Sequence, residues 1–112
     1  MDDARHYQVL TAAGSEDEAA AIADALLDRR LAACVQVLGP VRSRYRWAGR
    51  VESADEWLLL AKTTAAAVGE AMAEIGRRHS YETPEVTATP IVAGSAGYLR
   101  WIDAEVAGPT AP

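Results

Sequence analysis

The sequence predicts an α+β chain with a four-stranded antiparallel sheet, helices packed on one sheet face and one further helix at the C-terminus. Two observations point there. Short stretches of period two alternate with stretches of helical period, in the order β-α-β, β-α-β, helix. Glycine, proline and one helix-capping signature mark the boundaries between them. That order is the split βαβ, or ferredoxin-like, arrangement. A chain of 112 residues has room for one core, so residues 1–112 read as a single domain with tails at about 1–5 and 107–112 expected to be flexible.

His6 to Ala13 alternates well enough for a first strand, and Gly14-Ser15 breaks it. Ser15 followed by Glu18 is a capping box, in which the two side chains satisfy free N–H groups at a helix start. Ile22, Leu26 and Leu27, with Ala19 and Ala23, give that helix an apolar stripe, and Arg29-Arg30 is expected to close its last turn. Ala33 to Leu38 is a second strand. Gly39-Pro40 interrupts it without ending it, because alternation resumes at Val41. Proline cannot donate to a ladder, so a bulge at a sheet edge is expected there. Ala48-Gly49 is the hairpin turn, and Arg50 to Thr63 returns as the third strand.

Val68, Met72 and Ile75 lie at helical spacing within Thr64 to His79, the second helix. Ser80 to Pro84 is a loop. Glu85 to Val92 forms a fourth strand, and Pro90 puts it at an edge or a bulge. Gly94-Ser95 opens a third helix, with Tyr98, Leu99 and Ile102 expected to face inward.

Net charge is −5, which argues against nucleic acid or an anionic membrane surface as partner. Arg42, Arg44 and Arg46 are a local exception, but Glu52, Asp55 and Glu56 follow directly, so cross-strand ion pairs are expected before a phosphate site. Cys34 is the only cysteine, which rules out an intrachain disulfide and suits a reducing compartment. The opening MDDARHYQVL lacks the pattern of a signal peptide. Apolar runs such as Trp57 to Ala61 fall far short of the roughly 20 residues of a membrane helix. The cytoplasm is the expected location.

The second strand is too long for its domain. From Ala33 to Trp47 it would span roughly 50 Å at ~3.3 Å per residue, whereas a chain of this size has a diameter of about 34 Å. Unless the bulge folds it back, part of the hairpin projects, carrying Tyr45, Trp47 and Trp57. Such a ribbon makes sense if it packs on other subunits. The sheet face opposite the helices needs covering too, and an oligomer is expected.

Candidate chemistry is sparse. The Cys34 thiolate suits a soft or borderline ion such as copper or zinc; the competing reading is a small, inert, buried hydrophobe. His79, at the end of the second helix, is a candidate metal ligand with Glu82 or Glu85, or else a helix-end hydrogen-bonder. Lys62 ends the apolar run and needs a partner such as Glu82 or Glu85. With Tyr81 and Trp47 these residues would form a cleft for a small anionic ligand, or else a structural ion pair. No Ser-His-Asp set and no phosphate-cradling glycine loop occurs.

LAACVQV at Leu31 to Val37, YRWAGRVE at Tyr45 to Glu52, EWLLLAKT at Glu56 to Thr63, HSYETPEV at His79 to Val86 and YLRWI at Tyr98 to Ile102 together resemble the CutA divalent-cation-tolerance proteins. The resemblance implies a ferredoxin-like subunit in a homotrimer, joined through the second and third strands. It implies no enzymatic reaction, a role in response to divalent metals, and weak binding of Cu(II) or another divalent ion. Copper ligands proposed in one branch of the family are a cysteine late in the first strand and adjacent histidines after the second helix. Here those positions read Thr11 and Arg78-His79, and Ser80 stands where the family has proline. The alternative is a regulatory trimer of the PII type, binding a small anion in clefts between subunits.

Overall fold

The computed structural model describes residues 4–107, and the terminal segments on either side, where most of the expected tail residues fall, lie outside the described residues. Within them, Arg5 and Ala107 are tied in place: the Arg5 carbonyl accepts from Ala65 at 2.8 Å and the Ala107 amide donates to Arg30 at 2.9 Å. The elements run β1 (His6–Ala13), α1 (Glu16–Asp28), β2 (Cys34–Trp47), β3 (Arg50–Thr64), α2 (Val68–Arg78), β4 (Val86–Pro90) and α3 (Ala96–Glu105). The strands form one antiparallel sheet in the order β2-β3-β1-β4. Both proline-bearing strands therefore sit at edges, where a missing N–H costs no ladder bond.

Alternation assigns the two faces. Val9 and Ala13 of β1 and Leu59 and Ala61 of β3 join Ile22 and Leu26 of α1 and Ala71 and Ile75 of α2 in the main core. Their neighbours Leu10, Leu58 and Leu60 point to the other face and are only half-buried. Among the described residues, α3 closes a separate, smaller core in which Ile102 and Val106 meet Ala67, with Ala33 and Leu99 packed against them. That patch is too small for the whole apolar stripe of α3. Tyr98 was expected inward but is exposed, with its ring 5.6 Å from that of Trp101.

Helix boundaries moved for local reasons. Thr64 pairs with His6 as the last residue of β3, and its carbonyl and Oγ1 both accept from the Ala67 amide in a turn, so α2 starts only at Val68. The first helix ends at Asp28. Arg30 takes the left-handed conformation just beyond it, at φ 56°. Rather than completing α1, its guanidinium donates to the carbonyls of Glu105 and Ala104, at 2.9 and 3.0 Å, and caps the end of α3. His6 adds a bond of 2.8 Å to Asp103 of α3.

The irregularity expected at Gly39-Pro40 is a bulge. Leu38 pairs with Leu58 and Val41 with Glu56, so two residues of β2 stand opposite the single Trp57. A Cβ on Gly39 would lie 2.5 Å from Cδ1 of the Trp57 indole, which accounts for glycine there. The extra residue also switches parity: Gln36 and Leu38 share a face with Val41, Ser43, Tyr45 and Trp47 beyond the bulge. The described chain measures 43 × 28 × 23 Å, and every residue from 44 to 51 is exposed. The hairpin end stands out from the body along the long axis, but Trp57, expected to project with it, pairs with Ala13 on the helix side of the sheet and packs half-buried against the main core.

Candidate functional site

The hairpin forms one wall of a cleft. Its register pairs Tyr45 with Glu52, Ser43 with Ala54 and Val41 with Glu56, which puts Ser43, Tyr45, Trp47 and Glu56 on the face away from α1 and α2. Arg42 lies opposite Asp55, to which it donates at 3.1 Å, so one of the three arginines makes the expected cross-strand pair. Arg44 and Arg46 have no ion pair among the described residues.

The segment from His79 to Glu85 forms the facing wall, and it is pinned at several points. The His79 side chain is fully buried. Its Nε2 donates to the Ala12 carbonyl at 2.8 Å, and its Nδ1 accepts from the Tyr81 amide at 3.2 Å. One carboxylate oxygen of Glu18 accepts from the Ser80 amide at 2.7 Å, and the other accepts from Gly14 at 3.3 Å. The capping box thus anchors a loop 62 residues away as well as its own helix, whose Glu18 amide donates to Ser15 Oγ at 3.1 Å. Burial opposes ionisation of Glu18, but the Ser80 and Gly14 amides outweigh it and hold its carboxyl below the usual range. Tyr81 packs across Gly14 so closely that a Cβ there would meet the phenol oxygen at 2.9 Å.

The Tyr81 hydroxyl then spans the two walls and donates to Glu56 Oε2 at 3.0 Å. Burial and the adjacent Glu56 carboxylate push its pKa up to about 12. Between the walls lies a cleft of about 620 Å³ lined by Ala12, Ser43, Arg44, Tyr45, Trp47, Glu56, Tyr81, Glu82, Thr83 and Glu85.

Of the residues singled out from sequence for a ligand cleft, Trp47, Tyr81, Glu82 and Glu85 line this one. Lys62 does not. It stands on β3 opposite Cys34, and its ammonium donates at 2.7 Å to Gln36 rather than to Glu82 or Glu85. Cys34 is half-buried beside it at the start of β2. The structure gives Cys34 and His79 different neighbours, and among the described residues no three His, Cys, Asp or Glu side chains group as a metal site. Metal ligation by His79 would have to displace one of its two hydrogen bonds. Thr11 is fully buried, and its hydroxyl has no hydrogen-bond partner among the described residues. Glu56, Arg44 and Tyr45 are cleft residues that the sequence reading missed. The signal was present: a two-residue turn at Ala48-Gly49 fixes the hairpin register and so places Glu56 beside the tyrosine-tryptophan face.

A family model described as the CutA1 divalent ion tolerance protein matches residues 7–105. The chain belongs to the CutA1 family. It is 43% identical over 94 residues to the divalent-cation tolerance protein CutA of Thermus thermophilus, covering 84% of this chain and 91% of that one. The Archaeoglobus fulgidus relative of the same name is 39% identical over 101 residues, 90% of this chain and 98% of its own. Among solved structures, CutA from Xylella fastidiosa superposes with a TM-score of 0.90 at 35% identity, covering 92% of this chain and 99% of that one. The ferredoxin-like sheet with its appended helix is thus the CutA1 fold.

Proposed function

We propose that this CutA1 chain is a non-catalytic divalent-cation-tolerance protein working as a homotrimer joined through the β2–β3 hairpin. The observation that carries the reading is the family match from 7 to 105, whose curated relatives are named for tolerance rather than for a reaction. The hairpin supports the assembly: Leu38, Tyr45 and Trp47 are exposed on its face away from α1 and α2, an apolar surface of the kind that marks a protein interface. Leu10, Leu58 and Leu60 extend that surface across the sheet face opposite α1 and α2.

In this reading Cu(II) or another divalent ion is the cargo, held weakly through Cys34 and His79 in the cytoplasm. The spread of donor residues supports weak contact over a tetrahedral chelate. Calorimetry with Cu(II), Zn(II) and Ni(II) on the wild type, Cys34→Ala and His79→Ala, alongside sedimentation, tests both parts. The expected result is trimer mass with smaller Cu(II) heats in both variants. Equal heats for all three proteins would remove these residues from the metal, and monomer mass would remove the assembly. The competing reading, a regulatory trimer that binds a small anion, is weakened by the cleft itself: it presents Glu56, Glu82 and Glu85 against Arg44 alone, and Lys62 lies outside it.

A further inference from the structure

Three guanidiniums on the helix layer converge on one buried carboxylate. Arg29 at the end of α1 and Arg77 and Arg78 of α2 all donate to Glu74. Groups that share one carboxylate stand close to one another, although like charges repel. Glu70 answers part of that charge: its carboxylate accepts from Arg77 at 3.1 Å and lies 3.7 Å from Arg29. Asp28, next to Arg29 in the chain, makes no ion pair with the cluster among the described residues. Three positive groups therefore face two negative ones, which leaves a local positive surplus on a chain of net charge −5.

The surplus is presented to solvent. The side chains of Arg29, Arg77 and Arg78 are 45%, 54% and 56% exposed, while the carboxylate that gathers them is buried. Arg77 reaches Glu70 and Glu74 through Nη2 alone, and Arg78 reaches Glu74 through Nε. Among the described residues the other nitrogens of both guanidiniums have no protein acceptor. Each planar fork thus keeps N–H groups that match the oxygens of a phosphate. Nothing overhangs them: beside Arg77 the surface of α2 is the stripe Gly69, Ala73, Gly76, where a Cβ on either glycine would meet nothing within 4 Å. The helix layer also covers the sheet face opposite the one proposed for subunit contact, so the cluster is open in a lone chain and in a trimer alike.

We propose that Arg29, Arg77 and Arg78 form a binding site for a small anion carrying a diphosphate group. Arg77 and Arg78 grip the phosphoryl oxygens, Glu74 holds the guanidiniums in place, and Glu70 competes with the ligand. Donors fixed by a buried anchor lose little freedom on binding. A compact, highly charged anion suits a local surplus of positive charge. An extended polyanion does not, because the exposed residues Glu16, Asp17, Asp24 and Asp28 of α1 would repel it.

The test titrates inorganic pyrophosphate, ADP and succinate calorimetrically into the metal-free full chain at physiological salt. Saturable binding of pyrophosphate and ADP is expected, with succinate far weaker. Tighter binding of ADP would name a nucleoside diphosphate as the source of the phosphates, and tighter binding of pyrophosphate the inorganic anion; both fit the site. Arg77→Gln should weaken pyrophosphate binding by about fivefold or more. Arg100→Gln, which removes the same charge from an exposed position on α3, should leave it at the wild-type value. Glu70→Gln should tighten binding by about threefold or more, a gain that a loosened fold does not produce. Absence of pyrophosphate binding, equal losses in Arg77→Gln and Arg100→Gln, succinate bound as tightly as pyrophosphate, or no gain in Glu70→Gln would each overturn the proposal.

Discussion

Glu74 of α2 and Arg29 at the end of α1 are joined by an ion pair that ties the two helices together. The Glu74 side chain is 4% exposed, and its carboxylate also accepts from Arg77 at 2.6 Å and Arg78 at 2.8 Å. Those hydrogen bonds, from Arg78 first, outweigh burial and hold its pKa down at about 2, below the ordinary 4.5. A depressed carboxyl pKa stabilises the fold above the unfolded-state value, and the contribution is lost as pH falls through the folded one. Stability should therefore decline between about pH 4.5 and 2. Glu74→Gln should lower stability at neutral pH by about 1–3 kcal/mol and flatten that decline. Urea melts of both proteins across the window check it; parallel curves would show that Glu74 is not the group responsible.

Thr11 makes the opposite prediction. It is completely buried in the central strand β1, between Leu59 and Val86, and its Oγ1 has no partner among the described residues. An unpaired buried hydroxyl costs about 1–3 kcal/mol, and valine has nearly the same shape. Thr11→Val should raise stability by about 1 kcal/mol, read as a higher urea midpoint with an unchanged slope. A lower midpoint would mean that the hydroxyl is satisfied in solution.

The order of elements, both edge strands and the bulge were legible because each left a local mark: period two, a proline, Gly39-Pro40. What Arg29, Arg30 and Glu74 do was not legible. Composition places arginines at a helix end and offers the dipole as their partner, but their real partners lie 45 and 75 residues away, on α2 and α3. Lys62 failed for a related reason. A lysine after an apolar run suggests a buried carboxylate partner, yet on an edge-side strand pair its diagonal neighbour Gln36 is nearer than any loop residue. The cleft was half visible. Trp47, Tyr81, Glu82 and Glu85 announced themselves as residue types, while Glu56 needed the hairpin register to be carried back from the turn.

That turn is under strain that one substitution should relieve. Ala48 and Gly49 have φ values of 52° and 79°, the double left-handed geometry of a type I′ turn. Glycine accepts it freely, whereas alanine pays for its Cβ and asparagine tolerates it better. Ala48→Asn should stabilise the chain by about 0.5–1 kcal/mol, with no change in hydrodynamic size. A neutral or negative effect in thermal melts would show that Ala48 makes contacts in solution that offset its backbone cost.

Leu38 separates a lone chain from an assembled one. It lies on edge strand β2 beside Leu58, on the sheet face away from α1 and α2, and is 59% exposed. In a monomer Leu38→Arg replaces one solvated side chain by another, and the effect should stay within about 0.5 kcal/mol. In a trimer closed over the hairpin and that face, the same change buries an unpaired charge and should cost about 2 kcal/mol or more per interface. The assembly then becomes concentration-dependent: sedimentation should show smaller species on dilution of the variant and not of the wild type. Identical sedimentation and identical melting at every concentration would leave Leu38 in solvent and the outer face of the sheet unused.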